Sequence, residues 1–142
     1  MRTDPTLFLM VGLPGTGKTT EARLIAIALR ALELGVNVVV DFGLWDRDER
    51  SALRHAATAV GARVKVRYLE LTVEEQRRRL DRRQAEEPQA TWHMSDEELA
   101  MWAEKFSVPT PGEIDGSEPV DDPPATYATW DEWRQQRWPP AL

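Results

Sequence analysis

Residues 12–19 read Gly-Leu-Pro-Gly-Thr-Gly-Lys-Thr and sit between two segments of opposite character. Before them, Thr6 to Val11 is a short apolar run that stops at Gly12. A run of this kind, bounded by glycine, predicts a strand buried on both faces. After them, a helical period extends from about Thr19 to Leu34. Leu24, Ala28 and Leu32 share one stripe, Ile25 and Leu29 lie beside it, and Gly35 is placed to end the helix. The pattern G-x-x-x-x-G-K-[ST] is complete. Its glycines let the backbone curl so that consecutive N–H groups face one centre, and the helix that follows adds its positive end. Such a cradle fits the phosphates of a nucleotide. The expected contact residues are Gly12, Pro14, Gly15, Thr16, Gly17, Lys18, Thr19 and Thr20. Lys18 reaches the β- and γ-phosphates as a point charge, and the Thr19 hydroxyl suits a magnesium position. A chance match in a surface turn would lack the flanking strand and helix.

The rest of the chain continues the alternation. Val36 to Val40 is a second β-branched run with Asp41 at its end, and Val64 to Leu71 is a third strand. Between them, Asp46 or Asp48 caps a helix carrying Leu53, Ala57 and Val60, which stops at Gly61. Strand, helix, strand, helix, strand implies parallel pairing through right-handed crossovers, hence an α/β class. Thr72 and Glu75 predict a capping box on a helix from Val73 to about Glu86, where Pro88 breaks the chain. Ser95 and Glu98 predict another, with Leu99, Trp102 and Phe106 on its stripe. Seven of the ten prolines fall in residues 107–142, interleaved with acids, which reads as an extended wrap or a partly disordered tail. A short helix from Thr129 to about Trp138 would dock there through Trp130 and Trp133.

Composition narrows the partners. A net charge of -6 and a sequence pI of about 5.0 argue against a face for duplex nucleic acid. With no cysteine, thiolate metal sites and disulfides are excluded, and His55 and His93 are too few and too far apart for zinc. The apolar run Leu7 to Val11 is too short for a signal or membrane segment, so a cytoplasmic chain is expected.

Two further candidates surround the loop. Asp41 at the carboxyl end of its strand is placed to hold magnesium, directly or through water; its bland reading is a helix cap or turn residue. Asp41-Phe42-Gly43 spells the magnesium motif of protein kinases, a coincidence because no H-R-D loop accompanies it. The helix after Thr72 carries Arg77, Arg78, Arg79, Arg82 and Arg83. Arg79 with Arg82 and Arg83 shares a face that can converge on a phosphate from a lid; its bland reading is a solvated face. Trp92, Trp102 and Phe106 can stack on a base, although tryptophan at helical spacing is more often core.

The chain resembles small P-loop kinases related to zeta toxins, chloramphenicol phosphotransferase and polynucleotide 5′-kinases, and more closely bacterial ATP-binding proteins of the AAA-like kinase group. Gly12 to Thr20, Val38 to Arg50 (VVVDFGLWDRDER), Val66 to Gln84, and Ser95 to Glu113 with its Pro-Thr-Pro-Gly-Glu carry the resemblance. It implies a P-loop NTPase-type three-layer α/β fold with a small parallel sheet, ATP and Mg²⁺ as cofactors, and a catalytic set of Lys18, Asp41, Arg79 and Arg83. Thr19 and Asp41 would be the metal positions. Arg83 falls where the family has a lid arginine, here followed by Gln84, with Arg79 one turn earlier.

One departure is large. Such kinases have a further strand after the phosphate-loop helix, with an aspartate that serves as base, and then more helices. Here the helix runs through Gly35 directly into Val36. The fold is therefore shortened, the sheet loses a strand, and an open edge would invite a homodimer or instability. Catalysis would then be weak or would use Asp46 or Asp48 in place of the base, whose loss need not abolish a transfer that rests mostly on positioning and charge stabilisation. The expected organisation is a kinase-like domain over 1–106 and a Pro-rich acidic extension over 107–142. Two functions compete: an ATP-dependent phosphotransferase acting on a small-molecule or nucleotide hydroxyl, and a nucleotide-binding module or switch without transfer. A mechanical ATPase fits less well, lacking room for a sensor and a neighbouring arginine finger.

Overall fold

The computed structural model describes residues 4–11, 18–41, 43–90 and 93–139, with backbone only for Met10 and Lys18 to Thr20. The elements are β1 (Thr6–Val11), α1 (Lys18–Glu33), β2 (Val38–Val40), α2 (Arg47–Ala59), β3 (Arg63–Tyr68), α3 (Val73–Glu86), α4 (Asp96–Lys105), α5 (Pro111–Asp115) and α6 (Trp130–Arg137). They form two compact units, residues 1–68 with 107–142, and residues 69–106.

In the first unit, β1 is the middle strand of a parallel three-stranded sheet ordered β2-β1-β3. The register pairs Leu9 with Val40 and with Val66. The fold is α/β, a shortened arrangement of the P-loop NTPase type. Pairing also marks where strands stop. β3 ends at Tyr68, which pairs with Val11, and Leu69 and Leu71, expected in the strand, lie exposed beyond it. β2 begins only at Val38. The Asn37 side chain instead accepts a hydrogen bond from the Thr6 N–H at 2.9 Å, closing the start of β1.

The expectation that β1 is buried on both faces is met in part. Leu7, Leu9, Val11, Val40 and Val66 share one face and are buried. The other face carries buried Thr6 and half-buried Phe8 of β1, with exposed Val39, Arg63, Lys65 and Arg67 on the neighbouring strands. The run Thr6 to Val11 is apolar throughout, but its neighbours alternate, and those neighbours decide which face the core covers. The α1 stripe is also rotated from its expected position. Ala22, Ile25, Ala28 and Leu32 are buried, whereas Leu24 is 47% exposed.

α1 packs on β2 and α2, while α2 packs on β3 and α6. Asp46 caps α2, its side chain accepting from the Asp48 N–H at 3.0 Å. Trp130 and Trp133 on α6 and Trp138 at its C-cap are buried and stack edge to face, with centroids 5.7 and 5.4 Å apart. Each such pair adds about 0.5–1.5 kcal/mol beyond its buried area. The Trp130 indole donates to the Asp121 carbonyl at 2.8 Å, and Arg137 pairs with Glu49 on α2.

In the second unit, Ser95 and Glu98 form the complete capping box expected for α4. The box expected on α3 is only half present. Thr72 accepts from the Glu75 N–H at 3.2 Å, but the Glu75 carboxylate is taken by Arg78 and Arg79 instead of returning to the backbone. Leu99 is buried, and Trp102 and Phe106 are half-buried.

Candidate functional site

The three strands run parallel, so their carboxyl ends share one edge. The chain leaves β1 for β2 on one side, then crosses to β3 on the other. β1 is therefore the point where the strand order reverses, and ligands of open α/β sheets bind outside the carboxyl ends at that point. β1 leads into the glycine-rich residues, and α1 begins at Lys18. Gly12, Pro14, Gly15, Thr16 and Gly17 lie outside the described residues, as do the side chains of Lys18, Thr19 and Thr20. The backbone that is described supplies the surroundings the motif needs: a central strand before it, and after it a 16-residue helix whose first-turn N–H groups lack partners within the helix.

Asp41 follows Val40 at the carboxyl end of β2, beside the central strand, and is exposed. It is not spent on capping α2, a role that falls to Asp46. Asp48, in the first turn of α2, has its carboxyl group pushed above the ordinary range by burial, with Asp46 and Asp121 adding to the effect. Burial likewise raises Glu49 against the opposing pull of Arg137.

The loop between Asp41 and α2 is held by contacts that spacing did not reveal. Gly43 and Leu44 have φ of 95° and 43°, and Leu44 is the one residue other than glycine with positive φ among those described. Left-handed backbone at a branched residue costs roughly 1–2 kcal/mol. A Cβ on Gly43 would collide with the Trp45 indole, lying 2.9 Å from its Cδ1. Buried Arg50 donates from Nη1 to the carbonyls of Leu44 and Trp45 at 3.0 and 3.2 Å. Its Nε and Nη2 meet the Glu113 carboxylate at 3.0 and 3.3 Å, and neither side chain of the pair is exposed. Arg47 adds contacts to Glu113, Glu118 and Asp121, and Arg54 donates to the Glu118 carbonyl. The Asp121 and Glu118 carboxylates raise the Arg47 guanidinium above its ordinary value. In return Asp121 is held low, chiefly by Arg47, and Glu118 by the Thr110 hydroxyl and then Arg47. A signal for Arg50 was present, because Arg50, Leu53 and Ala57 fall at i, i+3 and i+7. An arginine on that stripe faces the core.

In the second unit the arginines of α3 divide. Arg77 donates to the Met94 carbonyl at 2.8 Å and pairs with Asp96. Arg78 and Arg79 pair with Glu75, the latter at 2.8 Å, and hold its carboxyl below the ordinary range, Arg79 first. Arg82 and Arg83 are exposed, and their side chains make no hydrogen bond or ion pair with any of the described residues.

Among the described residues no group of three or more His, Cys, Asp and Glu could hold a metal ion. Magnesium held through nucleotide phosphates needs less, one or two carboxylates beside phosphate oxygens and water. Asp41 and the Thr19 hydroxyl are hard oxygen donors of that type. Among the described residues no helix is long and apolar enough to cross a membrane.

A model of the AAA domain family matches residues 20–109, more than half of the chain, and the chain belongs to that family. It is a P-loop nucleotide-binding protein. The match begins just after the glycine-rich loop, so the motif and the family match are separate observations on adjoining residues. No curated protein matches the chain.

Proposed function

We propose that the chain binds ATP with magnesium on residues 12–20 and transfers the γ-phosphoryl group to a hydroxyl of a small molecule or nucleotide. The observation that supports this most is topological. The glycine-rich motif follows the central strand at the reversal of strand order, and Asp41, whose carboxylate makes no hydrogen bond or ion pair with the described residues, follows the neighbouring strand. In this reading Lys18 meets the β- and γ-phosphates, while Thr19 and Asp41 hold magnesium, which neutralises charge on the phosphates when bound. The acceptor oxygen forms a bond to the γ-phosphorus as the β–γ bridging P–O bond breaks and ADP leaves. Asp48, with its raised carboxyl, is a candidate for the hydroxyl proton. Arg79 and Arg83, one turn apart on α3, would stabilise the transferring group.

A second reading has its own support. α1 ends at Glu33 and β2 begins at Val38, leaving no room for the acceptor-side strand and helices of related kinases. A binding module or switch without transfer would suit such a chain. Binding of a fluorescent ATP analogue with Mg²⁺, compared with Lys18→Ala, tests the shared step; no binding in the unaltered chain removes both readings. ADP formation that depends on an added hydroxyl acceptor and is lost in Asp41→Asn supports transfer. Tight binding without ADP formation supports the module.

A further inference from the structure

A buried arginine is a costly way to join two helices, since apolar side chains of similar volume serve as well or better. Arg50 nevertheless sits at the junction of α2 and α5 with no exposed surface. What an apolar residue cannot supply is a directed donor shared by two adjacent carbonyls. Arg50 supplies that from Nη1, to Leu44 and Trp45. Ser107 reinforces the same spot, its N–H donating to the Trp45 carbonyl at 2.9 Å. The carbonyls belong to a turn where Leu44 is held at positive φ, a conformation that persists only when its surroundings enforce it. The guanidinium is itself fixed. Glu113 forms the capping box of α5, accepting from the Thr110 N–H at 3.1 Å while the Thr110 hydroxyl accepts from the Glu113 N–H at 3.1 Å. α5, the capping box and Arg50 therefore form one chain of contacts ending on Leu44 and Trp45, three and four positions after Asp41.

We infer that Arg50 and Glu113 are positioning residues for Asp41: the buried pair sets the backbone of residues 43–45, and with it the direction in which the Asp41 carboxylate leaves β2 toward nucleotide-bound magnesium. This rests on the magnesium role proposed for Asp41. It gives the Pro-Thr-Pro-Gly-Glu stretch a task beyond packing, because Glu113 acts on the nucleotide edge through Arg50 without touching a ligand.

The test uses the full chain and two variants. Glu113→Gln leaves Arg50 short of its counter-charge and is expected to loosen the fold. Arg50→Met with Glu113→Leu replaces the pair by apolar side chains, which keeps the core filled but removes the donor to Leu44 and Trp45. For this double variant the affinity for N-methylanthraniloyl-ATP without Mg²⁺ stays at the wild-type value, and the gain in affinity on adding Mg²⁺ falls about tenfold or more. A readout without nucleotide accompanies it. In 5-fluorotryptophan protein the ¹⁹F resonance assigned to Trp45 by Trp45→Phe shifts or broadens, while those of Trp130, Trp133 and Trp138 hold. A double variant that keeps the full magnesium gain and an unmoved Trp45 resonance overturns the inference. Failure of the underlying reading looks different: Asp41→Asn in an otherwise unaltered chain would leave the magnesium gain intact, and nothing would then need positioning.

Discussion

Helices α2 and α3 are both rich in arginine and use it in opposite ways. In α2, Arg50 and Arg54 are buried, and Arg47, Arg50 and Arg54 all reach acceptors on residues 113–121. In α3 no residue is buried, and most of the ion pairs of its arginines are with acids three or four places away or with neighbouring Asp96. The same side chain thus serves as an internal strut in one helix and as solvated charge in the other. Carbonyls and carboxylates brought in from distant sequence make the difference. Local pairs such as Arg79–Glu75 are screened by solvent, contribute little to stability and leave the guanidinium able to exchange partners. A group required to meet a transferring phosphate needs that freedom, and a strut must not have it.

The contrast can be broken most forcefully at Glu113. Glu113→Ala strands the Arg50 charge in the core, and urea unfolding should show a loss of about 3–5 kcal/mol. A loss no larger than that of a surface substitution would mean that water reaches Arg50. A smaller effect is expected from acid. Asp121 and Glu118 have folded-state pKa values below their ordinary 3.8 and 4.5, so their contribution is complete above those values. It is lost as pH falls through the lowered folded values. Arg47→Gln should lower the melting temperature at neutral pH and flatten its decline on acidification; unchanged acid sensitivity would place the relevant carboxylates elsewhere. The smallest stability effect belongs to α3. Arg79→Ala and Arg83→Ala should each stay within about 0.5 kcal/mol of the unaltered chain. If phosphoryl transfer is confirmed, the same variants should lower kcat far more than they lower stability, and equal kcat would remove the lid role.

Much of the fold was legible because its determinants are local. Gly35, Asp46, Thr72, Ser95 and Pro88 mark helix ends by chemistry acting within a few residues, and α6 with its docking tryptophans was visible from their spacing. The strand ends were less legible, since the apolar run continues through Leu69 and Leu71 while β3 stops at Tyr68, the partner of Val11. The candidate site divides in the same way. The phosphate motif and Asp41 are contiguous with strands and could be read directly. The clamp on the Asp41 loop could not, although both halves, DFGLW-x-R-x-E-R and Pro-Thr-Pro-Gly-Glu, stood out in the sequence. Arg50 and Glu113 lie 63 positions apart, and nothing in either segment names the other as its partner.

That separation bears on how the chain reaches its fold. Arg47 meets Asp121 across 74 positions and Glu49 meets Arg137 across 88, with the whole of residues 69–106 made in between. At ribosomal rates of about 5–20 residues per second, α2 exists for several seconds before its acceptors emerge. Over that interval Arg50 favours a hydrated, unfinished helix, and loop closure of this length slows the final step. The first unit is therefore expected to mature last, after the second unit, whose contacts are local. Nucleotide-competent protein would accumulate only once the last tryptophans have been synthesised.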